Sequence, residues 1–149
     1  MPRSKPASPG SVAKARTAAP GKRARTTARV PRFSEADALR WYDGKTFDDD
    51  WTSWHFPNWV KWLAPLRGKV ARVLEIGSWE GRSALFFLNY LTRSRLVCID
   101  TFAGAQEHHL HPNAATILPQ LEGRFDANVA EFRSRVEKIK ATSSSALPM

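Results

Sequence analysis

The stretch Val73-Leu74-Glu75-Ile76-Gly77-Ser78-Trp79-Glu80-Gly81-Arg82-Ser83 sets a short apolar run directly before two glycines, and a second apolar run directly after them. A run of this length ending at a glycine reads as a strand, and its apolar character predicts burial on both faces, as in parallel sheets. Gly77 opens a tight loop and Gly81 closes it, and residues 83–91 continue as an apolar helix under a sheet. Backbone without a Cβ can approach a ligand closely at both glycines, and the free N–H groups at the helix start face the same space. The next apolar run, Leu96-Val97-Cys98-Ile99, ends in one acidic residue, Asp100. It lies about 20 residues beyond the loop, the spacing at which a strand-end carboxylate meets the ribose of a nucleotide-type cofactor.

Residues 75–83 resemble the first motif of class I S-adenosylmethionine-dependent methyltransferases, in the form with three residues between the glycines. The segment Cys98-Ile99-Asp100-Thr101-Phe102-Ala103-Gly104-Ala105-Gln106-Glu107-His108 resembles the second-strand region of a small-molecule branch of that superfamily, and the likeness extends upstream through Phe47–Trp51 and His55–Trp59. The resemblance implies an α/β fold with a Rossmann-like, doubly wound parallel sheet and S-adenosylmethionine as cofactor. It implies that Gly77 and Gly81 fold around the methionine and ribose portions, that Glu75 attracts the ammonium directly or through water, that Asp100 accepts both ribose hydroxyls, and that Phe102 covers the adenine. Ser78, Trp79, Ser83 and Thr101 join the same cofactor site. The dinucleotide fingerprint G-x-G-x-x-G is absent, since Ser78 is followed by Trp79 where its second glycine would sit, which favours a cofactor without a diphosphate.

At 149 residues and 16.8 kDa the chain has room for one domain. Nine basic residues and no acidic one precede Phe33, whereas the other 14 basic residues are balanced by 14 acidic ones, so the net charge of +9 belongs to the tail. Residues 1–32 mix those charges with Pro, Gly, Ala, Ser and Thr, a composition that cannot offset its ordering entropy and predicts disorder. Such a tail can attract nucleic acid or an anionic membrane surface, or act as a transit peptide; the reading with most weight is a solvated extension. Cys98 is the only cysteine, which excludes a disulfide framework and reads as a small buried hydrophobe rather than a catalytic thiol. No apolar stretch reaches the length of a membrane span and no signal-peptide core follows the basic start, so the expectation is a cytoplasmic protein.

Residues 33–68 form a tryptophan-rich segment in which Phe56, Trp59, Leu63 and Leu66 fall at near-helical spacing with Pro57 suited to a first turn, predicting a helix packed on the sheet. An aromatic lid over the site is the functional alternative for these rings. Residues 69–149 then form the cofactor-binding part. Leu121, Phe125, Val129, Phe132 and Val136 mark one face of a helix starting near Pro119, while residues 136–142 read as the end of that helix or as a third strand, the strand being what the resemblance favours; Ser143 to Ser145 reads as a turn or helix cap. His108, His109 and His111 are the densest group of possible metal ligands, but two adjacent histidines do not share a face and no Cys or carboxylate pair completes a set, so no metal is assigned.

In the resembled family the acceptor-binding and catalytic groups come mainly after the fourth strand, so no catalytic residue is assigned. The expectation is the amino-terminal part of an enzyme, its sheet truncated after about three strands with the first strand left as an exposed edge. Methyl transfer to a small-molecule acceptor is the leading reading. A non-catalytic nucleotide- or partner-binding module with a tail that attracts nucleic acid is the alternative, and a nucleotide-dependent oxidoreductase is a third.

Overall fold

The structure, a computed structural model, describes residues 33–110 and 112–147; the expected disorder of residues 1–32 and the part of His111 in the histidine group lie outside the described residues. Three strands, β1 (Ala71–Ile76), β2 (Ser94–Asp100) and β3 (Val136–Lys140), form a parallel sheet in the order β1-β2-β3. The register sets Val73 beside Leu96 and Leu96 beside Val136, and puts Glu75, Cys98 and Lys138 in the next row on the same face. Strands that run parallel need crossover connections, and helix α3 (Arg82–Tyr90) supplies the first. The described chain is thus a Rossmann-like α/β fold with three strands.

Alternation in the strands divides the sheet into two unlike faces. Leu96 and Cys98 point into a core with Leu85 and Leu88 of α3, Phe102, and Leu121, Phe125 and Val129 from further along the chain. Leu74 and Ile76 point the other way and are 51% and 54% exposed. The predicted burial of residues 73–76 on both faces therefore does not hold: β1 is an edge strand, and no layer covers its second face among the described residues.

The tryptophan-rich segment builds a layer outside α3 rather than on the sheet. Helix α1 (Glu35–Trp41) starts at a Ser34–Asp37 capping box, and helix α2 (Phe56–Leu63) has Pro57 in its first turn and short 3-10 turns at both ends. Ala38 and Phe56 pack against Phe86, Tyr90 and Leu91, with Phe56 stacked on Phe86 at 4.7 Å between ring centroids. Because Leu85 and Leu88 face one core and Phe86 and Tyr90 the other, α3 is apolar around most of its circumference, as a central helix must be.

Beyond β2 the chain makes a 3-10 turn at Gln106–Leu110, a short helix α4 (Ala114–Ile117) and helix α5 (Leu121–Val129). The predicted helical face ends sooner than its periodicity suggests. Phe132 closes a 3-10 turn and Val136 begins β3. Arg135 explains the break: its guanidinium donates to the carbonyls of Leu88, Leu91 and Ser94 at 2.8 to 3.3 Å, satisfying the end of α3 and drawing the chain alongside β2. The serine run forms a short helix, α6 (Ser143–Ala146), capped by the Thr142 side chain.

Candidate functional site

A cavity of about 450 Å³ opens over the C-terminal ends of the three strands, lined by Ile76 and Gly77, by Ile99, Asp100 and Thr101, and by Ala141 to Ser143. This is where ligands bind in open α/β sheets. A second cavity of about 140 Å³ lies at the start of α3, lined by Asp49, Thr52, Ser78, Arg82 and Ser83. Trp51, Gly77 and Trp79 line both.

The loop between β1 and α3 is held in an unusual conformation. Gly77, Trp79 and Gly81 have φ of +79°, +50° and +81°, and for a bulky residue such as Trp79 a left-handed backbone is a marked departure. What stabilises it is Asp100. One carboxylate oxygen accepts the N–H groups of Ser78 at 2.7 Å and Trp79 at 2.9 Å, and the other accepts the N–H of Phe102 at 2.7 Å. The two glycines serve different ends. A Cβ on Gly77 would meet nothing within 4 Å, whereas one on Gly81 would lie 3.0 Å from Phe125 and 3.2 Å from Val129. Gly81 thus makes room for α5 and not for a ligand.

Of the residues that the resemblance assigns to a cofactor, Gly77, Ser78, Trp79, Ser83, Asp100 and Thr101 line the cavities, whereas Gly81, Glu75 and Phe102 do not. Glu75 is buried on the core face, where the Cys98 thiol donates to it at 3.5 Å, and burial pushes its carboxyl above the usual range despite the nearby hydroxyls of Ser83 and Ser78. Phe102, with φ +52°, turns its ring into the core against Phe125 and is 5% exposed. Neither lines the cavities, because alternation along β1 sends Glu75 inward and the Asp100 bond to the Phe102 N–H folds that ring back. Cys98 is buried and its thiol is pushed up to about 12 by burial and then by Glu75, which removes it as a nucleophile at neutral pH.

Sequence reasoning missed the residues that build the outer wall. Glu80 is only 1% exposed; it accepts the N–H of Asp48 at 2.7 Å and pairs with Arg124 at 2.6 Å. Asn128 exchanges two hydrogen bonds with the Thr46 backbone and donates a third to the Glu80 carbonyl. Arg82 forks onto both oxygens of Asp50 at 2.8 and 2.7 Å and also reaches Ser53. Burial opposes ionisation of Asp50, but hydrogen bonds from Ser53, Arg82 and Thr52 outweigh it and hold the carboxyl well below the usual range. These ties bring Trp51 over the loop, beside His108, whose ring centroid is 5.4 Å from Trp51 and 4.3 Å from Trp79. His108 Nδ1 accepts the Ala105 N–H at 2.9 Å. A polar residue in a loop gives no sequence signal of such pairings across 30 to 80 positions.

A family model described as a methyltransferase domain matches residues 74–149, just over half of the chain. The chain belongs to the class I methyltransferases. No curated protein matches it. Within this methyltransferase the matched stretch holds the glycine loop, Asp100 and the strand ends, whereas Asp49, Trp51 and Thr52 reach the cavities from upstream of it. Among the described residues no group of three His, Cys, Asp or Glu side chains is arranged to hold a metal ion, and no helix is long and apolar enough to cross a membrane.

Proposed function

We propose that this methyltransferase binds S-adenosylmethionine across the two cavities and serves methyl transfer to a small-molecule acceptor. The observation that carries the reading is the position of Asp100, at the rim of the large cavity and the end of β2, with the glycine loop folded against it. An ionised carboxylate has about four acceptor sites. Three are taken by backbone N–H groups, so Asp100 has room for one ribose hydroxyl, not the two expected from the resemblance. The residues fit the group otherwise: Thr101 and the Ala141–Ser143 turn border the space for the nucleoside, and Ser78 and Ser83 border the space for the amino-acid end.

When bound, the cofactor supplies a methyl group on positively charged sulfur. The protein's part is to orient it and keep its environment fixed, since transfer needs the acceptor lone pair in line with the S–CH₃ bond. Trp79 stands where a dinucleotide site has glycine, which disfavours a diphosphate. Calorimetry with S-adenosylmethionine, its demethylated product and NAD tests the reading: binding of the sulfur compounds in preference to NAD is expected. Tight NAD binding with no response to either sulfur compound would overturn it.

A further inference from the structure

Building on that cofactor reading, we propose that Trp51, delivered from upstream of the matched domain, faces the cofactor's sulfonium, and that Glu80 is the residue that positions it. Trp51 and Trp79 are the two side chains common to the large and the small cavity; the third shared residue is Gly77. A ligand with its nucleoside in one cavity and its amino-acid end in the other has its middle against two indoles. In S-adenosylmethionine that middle is the positively charged sulfur, and indole is the best ring face for a cation. The demethylated product presents a neutral thioether at the same place.

The charges around the small cavity agree with this. Asp49 lines it and makes no hydrogen bond or ion pair among the described residues. Arg82, the cation on the same wall, is neutralised by its two-point pair with Asp50. The small cavity therefore suits the ammonium that donor and product share, which leaves the sulfur between the two indoles as the point where their charges differ.

Trp51 is 56% exposed, with the His108 ring beside it. Its position follows from its neighbours. Glu80 holds the Asp48 N–H, Arg82 holds Asp50, and the Trp54 indole N–H donates to the Trp51 carbonyl at 2.6 Å. Of these, Glu80 is the buried one, and it ties the segment to α5 through Arg124. Glu80 also borders the small cavity, but its two oxygens are engaged by the Asp48 N–H and by Arg124, which makes it a positioning residue for Trp51.

The test is calorimetry on the full chain with S-adenosylmethionine and, separately, its demethylated product. Trp51→Ala is expected to weaken binding of the charged donor by roughly tenfold and of the neutral product by less than about twofold, with Trp51→Phe recovering most of the difference. Glu80→Gln, which keeps an oxygen for the Asp48 N–H and gives up the charge that pairs with Arg124, should show the same donor-selective loss. Combined with Trp51→Ala it should weaken binding no further, because coupled residues are not additive. Thermal melting of each variant checks that the fold is intact. Equal weakening of donor and product, no weakening by Trp51→Ala, or a full added effect of Glu80→Gln would each overturn the proposal while leaving the cofactor reading in place. A parent chain that binds neither compound overturns both.

Discussion

Asp100 ties together the end of β2, the glycine loop and the large cavity. Its three backbone partners give it a structural share that a ligand role alone would not. Asp100→Ala is expected to lower folding stability by about 1.5 to 3 kcal/mol, the range for hydrogen bonds to a charged group, because it releases N–H groups that hold a strained loop. Urea denaturation measures this, and faster hydrogen exchange at Ser78 and Trp79 should accompany it. An unchanged midpoint would mean that the loop holds itself. The residue was legible in the sequence because an isolated acid ends an apolar run. The displacement of Glu75 and Phe102 from the site was not, because it depends on which sheet face receives helices and on where the Asp100 oxygens point.

Helix α3 shows the same division among elements. Its existence follows from a glycine turn and an apolar run, but its central place, with one core on each side, depends on α1 and α2 folding back over it. Gly81 stands at its start with φ +81° and with Phe125 where a Cβ would be. Gly81→Ala should therefore destabilise by about 2 to 4 kcal/mol, left-handed strain and overpacking together, whereas Gly77→Ala meets only the strain, about 1 to 2 kcal/mol. Equal losses in paired denaturation experiments would show that α5 gives way freely. Val136 illustrates why short apolar spacing misleads: it fits the helical period of Leu121, Phe125 and Val129, yet Arg135 turns the chain onto β2 first.

At the scale of the molecule, among the described residues the sheet is covered by helices on one face and its first strand has a neighbour on one side only. Leu74 and Ile76 lie on that second face beside Val97 and Ile99, with Ile139 next to Ile99, and an exposed apolar edge strand invites self-association. Leu74→Lys together with Ile76→Lys is expected to reduce concentration-dependent light scattering of the 149-residue chain with a loss of stability under about 1 kcal/mol, since surface substitutions are rarely costly. Undiminished scattering would place the sticky surface elsewhere, the apolar groove beside Phe33, Leu39 and Val60 being the next to examine.

Local order in this chain, meaning the strand at residues 73–76, the glycine loop, the helix after it, the acid at Asp100 and the first turn at Pro57, was determined by the sequence itself, because each rests on backbone propensity and apolar spacing within a few positions. Only the tertiary structure decided that Gly81 serves packing, that Phe102 joins the core, that Val136 begins a strand and that the cavities are walled by Trp51 and Asp49. Those outcomes depend on pairings between residues far apart in the chain, Glu80 with Arg124, Asp50 with Arg82 and Thr46 with Asn128, and the direction in which a side chain points is set by its partner and not by its neighbours in sequence.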